Sequence, residues 1–339
     1  MSGSRRFLLV LLVLLVLVGT RATVHAHESQ PGMLDIEQLA GDRFEVLWRA
    51  PIYFGQPHPA HPELPASWTT VAPSTVRELA DSQLFRSIVS VGRAGLDGAV
   101  IRFPRLESTT TDVFVRLERL DGTSMTTVVR PTKPWAQLRG ERSWRASAAD
   151  YLGLGFHHIL QGVDHLLFVL GLLLIVEGRM TLVKTVTAFT VAHSITLGLA
   201  TLGYARAPLA PLNATIALSI LFLGPEIVRR WRGETSVTIR YPWVAAFSFG
   251  LLHGFGFASG LSTTGMPRAE LPLALLFFNV GVEAGQLVFV FLALALAKAF
   301  RVLELRWPRW AELLPGYTVG SLGAYWTIQR TVILLGVLR

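Results

Sequence analysis

At 339 residues, with 51% hydrophobic and only 16% charged side chains, the chain is too apolar for a soluble enzyme and carries part of its mass in lipid. Its formal charge of +8 does not mark a nucleic-acid binder, because residues 27–149 hold 14 Lys/Arg against 14 Asp/Glu and the excess lies in the leader and in loops between apolar segments. Without cysteine, disulfides and thiolate ligands are excluded, so any metal must be held by nitrogen and oxygen, a donor set that favours nickel, cobalt, zinc or manganese over copper(I).

Residues 1–26 begin with Arg5 and Arg6, run apolar from Phe7 to Val18 and end on Val24-His25-Ala26, a small-x-Ala cleavage pattern. The apolar run falls short of the roughly 20 residues that a spanning helix needs, so the segment reads as an export signal rather than an anchor. Cleavage after Ala26 would make His27 the first residue, whose α-amine and imidazole could hold a metal with help from His58 or His61, although a chance histidine at a processed end is the simpler reading.

From 27 to 145 the pattern predicts an extracytoplasmic β-rich, sandwich-like domain. Val113-Phe114-Val115-Arg116-Leu117 alternates, Asp121-Gly122 supplies a turn, and Met125 to Val129 returns as the second strand of a hairpin. Phe44, Val46, Trp48, Ile101 and Phe103 are available for a core. The proline-rich stretch from Gln56 to Pro65 reads as an exposed loop.

From 150 to 339, six apolar segments predict a bundle of about six transmembrane helices, at about 151–176, 181–203, 208–228, 243–262, 271–297 and 316–338. Export of the first domain puts the start of the first helix outside. The loops at 177–184, 229–242 and 298–315 then face the cytoplasm and carry Arg179, Lys184, Arg229, Arg230, Arg232, Arg240, Lys298, Arg301, Arg306 and Arg309. The opposite loops carry only Arg206 and Arg268, which satisfies the positive-inside rule and leaves the C-terminus outside. The expected location is a bacterial inner membrane, with the first domain on the periplasmic or exterior side.

An ionisable group at mid-bilayer costs about 2.5–3.5 kcal/mol on insertion scales, so each one needs a partner or a function. The first helix carries His157, His158, Asp164 and His165. Read as one continuous helix, it puts His158 and His165 on one face with about 10 Å of rise between them, too far to chelate alone. Other segments supply His193, His253, Glu283, Asn279 and Gln286, the last three related by helical spacing. Glu226 is expected at the cytoplasmic interface, and Arg330 to neutralise a buried carboxylate or to snorkel outward. A lone intramembrane His or Asn is more often interhelical glue than a ligand. An acid beside several imidazoles is different, because carboxylate neutralises charge and neutral imidazole is a strong donor to a divalent cation. His158, Asp164, His165, His193, His253 and Glu283 are therefore the expected metal residues, with His157, Asn279, Gln286, Glu226 and Arg330 as supporting polar groups. Glycines at 155 and 162, at 250 and 254, and at 281 and 285 predict that the first, fourth and fifth helices pack closely around them.

Three function classes fit these residues: a divalent-cation permease or delivery protein, an intramembrane zinc hydrolase, and a b-type haem protein. Four blocks bear on the choice. They are His158-x3-Gly162-x-Asp164-His165-Leu-Leu-Phe, Thr187-Ala-Phe-Thr-Val-Ala-His193-Ser-Ile-Thr, Phe249-Gly-Leu-Leu-His253-Gly-Phe-Gly-Phe and Phe278-Asn-Val-Gly-Val-Glu283-x-Gly-Gln286. Together, over about 150–339, they resemble the HupE/UreJ family of hydrogenase- and urease-associated membrane proteins. The resemblance implies a non-enzymatic nickel or cobalt permease, metal roles for His158, Asp164 and His165, and metalloenzyme maturation proteins as partners besides the lipid bilayer. The long exported domain is absent from the family's shorter members, and their second histidine motif has two histidines where this chain has only His253. The residues by themselves specify a divalent cation, zinc included; nickel or cobalt is what the resemblance adds.

Overall fold

The computed structural model describes residues 31–337 apart from 54–55, 80–81, 93–94, 110, 139–143, 263–270 and 302–312. The expected export signal and His27 lie outside the described residues. The chain forms two compact units, one built on Ser29–Tyr151 and the other on Leu152–Ala258 with Leu275–Arg339.

The first unit is a β-sheet domain. Its strands are β1 (Gly32–Ala40), β2 (Arg43–Tyr53), β3 (Gln56–Pro57), β4 (Thr69–Glu78), β5 (Ser82–Ser90), β6 (Val100–Arg102), β7 (Val113–Glu118), β8 (Ser124–Val129) and β9 (Trp135–Gln137). Among the described residues, seven strands form one sheet in the order β4-β5-β2-β1-β7-β8, with β3 on β2, while β6 and β9 form a separate ribbon. The two layers are therefore very unequal, unlike the balanced sheets of a typical sandwich. All pairings are antiparallel except β1 with β7.

Period-two alternation explains the core. Phe44, Val46, Trp48 and Ala50 of β2 point inward between partly exposed Glu45, Leu47 and Arg49, and Leu34 and Ile36 of β1 join them. Ile101, Phe103, Ala136 and Leu138 from the ribbon segments close the other side, with Trp48 and Phe103 rings 5.7 Å apart. The expected hairpin is present, Val113 pairing Val129 and Leu117 pairing Met125. At its turn, Gly122 takes φ +84° and Asp121 Oδ1 accepts from the Thr123 N–H and hydroxyl at 2.8 and 2.6 Å.

The proline-rich segment departs from expectation, because it folds back onto the core and buries His58 and Ala60. Its few N–H groups find strand partners: His58 N–H donates to Pro51 O at 3.1 Å, and Glu63 exchanges backbone bonds with Arg102 at 2.8 and 3.2 Å. Prolines remove donors, so a segment with few left to satisfy can be buried at low cost.

The second unit is helical. Its elements are α1 (Trp144–Gln161), which begins in the first unit, α2 (Val163–Ile175), α3 (Arg179–Thr201), α4 (Leu209–Trp231), the short α5 (Val237–Arg240), α6 (Pro242–Ser262), α7 (Leu271–Arg301) and α8 (Leu314–Val337). Among the described residues, α3, α4 and Leu271–Leu296 of α7 are long and apolar enough to cross a membrane, and α1 with α2 is a fourth if that bent pair is one span. At the loop end of the bundle the Glu177 and Arg230 side chains form an ion pair, and Lys184 lies over the Trp243 ring at 4.7 Å.

Small residues set the close helix approaches. A Cβ at Gly155 would lie 2.0 Å from Phe278 O, and one at Gly281 2.1 Å from Leu152 O, so α1 and α7 meet backbone to backbone. The glycines of α6 face a different helix: Gly250 abuts Phe189 O and Gly254 abuts His193 O on α3, at 2.5 and 2.4 Å from the added Cβ. The glycines of the fourth expected span thus meet the second span, while its His253 packs against His165 of the first. A third close pair joins α4 and α8 through Gly224, Gly320 and Gly323.

Candidate metal centre

The site begins with a helix break. Gly162 separates α1 from α2 with φ −75° and ψ 94°, and the two axes bend by 71°. Its N–H still donates to His158 O and its carbonyl accepts from Leu166 N, both at 3.0 Å, so each helix keeps its hydrogen-bond ladder up to the bend. A Cβ at this position would sit 2.6 Å from His165 Nδ1. The missing side chain is what lets the His165 ring fold back over the end of α1.

This bend corrects the continuous-helix reading. His158 and His165 are not two turns apart along one rod; their ring centroids are 4.9 Å apart. His193 of α3 approaches from the other side, with its ring 6.4 Å from that of His158. One ligand nitrogen from each of His158, His165 and His193 can be chosen so that all lie within 4.8 Å of one another. His253 of α6 packs against His165 at 5.2 Å between ring centroids. Phe168, Phe189 and Phe278 wall the group in, Phe189 stacking on His193 at 6.3 Å.

Hydrogen bonds fix which nitrogens of His253 and His193 keep a free lone pair. The His253 Nδ1–H donates to Phe249 O at 2.8 Å, since a carbonyl can only accept, and in neutral imidazole this leaves the lone pair on Nε2. Asn279 Nδ2 donates to Leu275 O at 2.8 Å, which orients the amide so that its Oδ1 accepts from His193 Nδ1 at 3.3 Å. His193 Nε2 is thereby also a lone-pair donor. Both Nε2 atoms are buried without a hydrogen-bond partner among the described residues. Outer contacts of this kind commonly hold imidazoles in a ligating tautomer.

The remaining expected residues fall into distinct places. Asp164 is buried, and its Oδ2 is taken by Arg330 Nη2 at 2.9 Å, so Arg330 neutralises a carboxylate in the bundle and does not snorkel. Glu283 accepts from the Thr187 hydroxyl at 2.8 Å through Oε1, while Oε2 is buried and unpartnered among the described residues. Gln286 Oε1 accepts from the Thr190 hydroxyl at 2.9 Å. Thr187, Thr190 and His193 thus line the α3 face that meets α7; their three-residue spacing carried that signal, although only the histidine stood out. Two expected residues lie apart from the cluster. His157 is exposed and donates from Nδ1 to its own helix, at Gly153 O, 2.7 Å. Glu226 is buried but bonds Arg229 Nη1 at 2.5 Å and the Ser236 hydroxyl, with no contact to an imidazole among the described residues.

Among the described residues, helices apolar enough to cross a membrane bring three imidazoles together from three segments, a group that could hold a metal ion through nitrogen. The family model described as HupE / UreJ protein matches residues 135–330, more than half of the chain, and the chain belongs to that family. The family suggests an accessory or transport membrane protein for nickel or cobalt rather than an enzyme. No curated protein and no solved structure matches the chain.

Proposed function

We propose that the protein carries a divalent transition-metal cation, nickel or cobalt before zinc, through the membrane by way of the His158, His165 and His193 site. The observation that carries this reading is the approach of those three ligand nitrogens to within 4.8 Å across three helical segments. Neutral imidazoles are strong donors to such ions, and the bend at Gly162 leaves the His158 and His165 rings 4.9 Å apart. His253 stands as the next imidazole. Asp164 and Glu283 supply the negative charge that a desolvated cation requires, and Asn279 and Gln286 line the α3–α7 seam along which it moves. Six spans, an exterior β-domain and an exterior C-terminus follow from the cationic loops, and the cargo goes to metalloenzyme maturation partners.

Cobalt and nickel uptake by cells that depend on this protein tests the reading. His158→Ala, His165→Ala and His193→Ala should each abolish uptake at normal membrane abundance, while His157→Ala should have little effect. Undiminished uptake in the first three variants refutes the assignment. Three histidines with an open position would also suit a zinc hydrolase. That alternative predicts stoichiometric metal retained through purification, whereas a transit site exchanges its metal with a chelator.

A further inference from the structure

Asp164 lies in the first turn of α2, immediately before His165, and is 1% exposed. Its partner Arg330 stands in the interior of α8 and is itself buried. The guanidinium donates to Asp164 Oδ2 at 2.9 Å and to the backbone carbonyl of Asn213 on α4 at 2.8 Å. The carbonyl is fixed in a helix, whereas the carboxylate belongs to the residue next to a cluster imidazole. Both charges are tied to the cluster by position, since Asp164 directly precedes His165 and Arg330 is ion-paired to Asp164.

Net charge decides what the pair does. With neutral imidazoles, Asp164 and Arg330 sum to zero, so a divalent cation on the imidazoles gains no neutralisation from them while they stay paired. A buried charge without compensation is strongly unfavourable. Asp164 Oδ1 is buried and unpartnered among the described residues, so the carboxylate has an acceptor position to offer.

Building on the carrier reading above, we propose that Arg330 is a tethered counter-cation which the cargo displaces from Asp164. When the divalent ion reaches His158, His165 and His193, it takes over the carboxylate, and the guanidinium stays on the Asn213 carbonyl. On release, Arg330 re-pairs with Asp164 and drives the ion off. Arg330 is then a positioning residue that touches no cargo. The exchange also selects for charge, because a doubly charged ion outcompetes a guanidinium for one carboxylate and a singly charged ion does not.

Cobalt(II) titration of the purified full-length protein in detergent, with release into a chelator, tests this. Arg330→Gln should bind about tenfold tighter and release more slowly, and Arg330→Lys should stay close to wild type. The decisive variant is the double substitution Asp164→Asn with Arg330→Gln, which keeps the wild-type net charge, nearly the same shape and no orphaned ion, so it folds even if Arg330→Gln does not. It should bind about tenfold more weakly than wild type, because no carboxylate can pass to the cation. Wild-type affinity in the double variant would show that the pair is purely structural and overturn the proposal. Absence of cobalt binding by the wild type, or unchanged binding by His165→Ala, would instead overturn the metal site and the exchange with it.

Discussion

Gly162→Ala is the smallest change that separates the bend from the imidazoles it serves. The backbone at 162, φ −75° and ψ 94°, is open to any L-residue, so the substitution acts through space and not through backbone strain. The new Cβ would lie 2.6 Å from His165 Nδ1 and 3.0 Å from His158 O, whereas ordinary contact begins at 3.4 Å. Relief requires the His165 ring to move by about 0.8 Å, in a pocket closed by His158, His253 and Phe189. Overpacking of this kind costs ~1–3 kcal/mol, and the alanine recovers ~1 kcal/mol only if the break becomes helical and α1–α2 straightens. Either response displaces a ligand by more than the ~0.2 Å that metal sites tolerate, so cobalt(II) affinity should fall at least about tenfold, or ~1.4 kcal/mol. Titration of purified protein measures this, with Gly336→Ala as the control, since nothing lies within 4 Å of a Cβ there. Wild-type cobalt affinity in Gly162→Ala, with the protein folded, would refute the argument that this glycine builds the site.

Other outcomes follow from the same structure. His58 is buried in the β-domain, and that burial holds its pKa below the ordinary 6.5. The unfolded chain then takes up the proton first, so domain stability is full above 6.5 and falls as pH drops below it; urea midpoints between pH 7.5 and 5 should show this, and an unchanged slope in His58→Gln would exclude His58 as the cause. Gly254→Val places a side chain where a Cβ is already 2.0 Å from Thr196 Oγ1 and 2.4 Å from His193 O, so α3 and α6 must separate. Its melting temperature in detergent should drop clearly below that of wild type, and an unaltered melt would contradict the close approach. A C-terminal reporter active only in the cytoplasm should stay silent if six spans are present, and activity would remove one span.

Much of the fold was legible because it is written in period and charge. Alternation marked β7, the Asp121-Gly122 pair marked the turn between β7 and β8, and the later apolar segments each fall on one helix while the first falls on the bent pair α1 and α2. The members of the candidate site were legible by residue type: an ionisable side chain in an apolar run stands out one at a time, as His158, His165 and His193 do, and the structure brings these three together. What stayed hidden was relational. A glycine in a helical run reads as packing or flexibility, and nothing local says that Gly162 bends the chain by 71° and erases the expected separation of His158 and His165. The partner of Arg330 lies 166 positions away, a tertiary choice among several acids. The α6 glycines likewise announce a close neighbour without naming α3.

X-ray absorption on the cobalt-loaded, purified full-length protein reads the atoms around the ion independently of transport. The expected coordination shell is dominated by imidazole nitrogen with a carboxylate oxygen, losing one imidazole in each of His158→Ala, His165→Ala and His193→Ala and none in His157→Ala. A shell of oxygen alone, or an imidazole shell indifferent to those three substitutions, would contradict it.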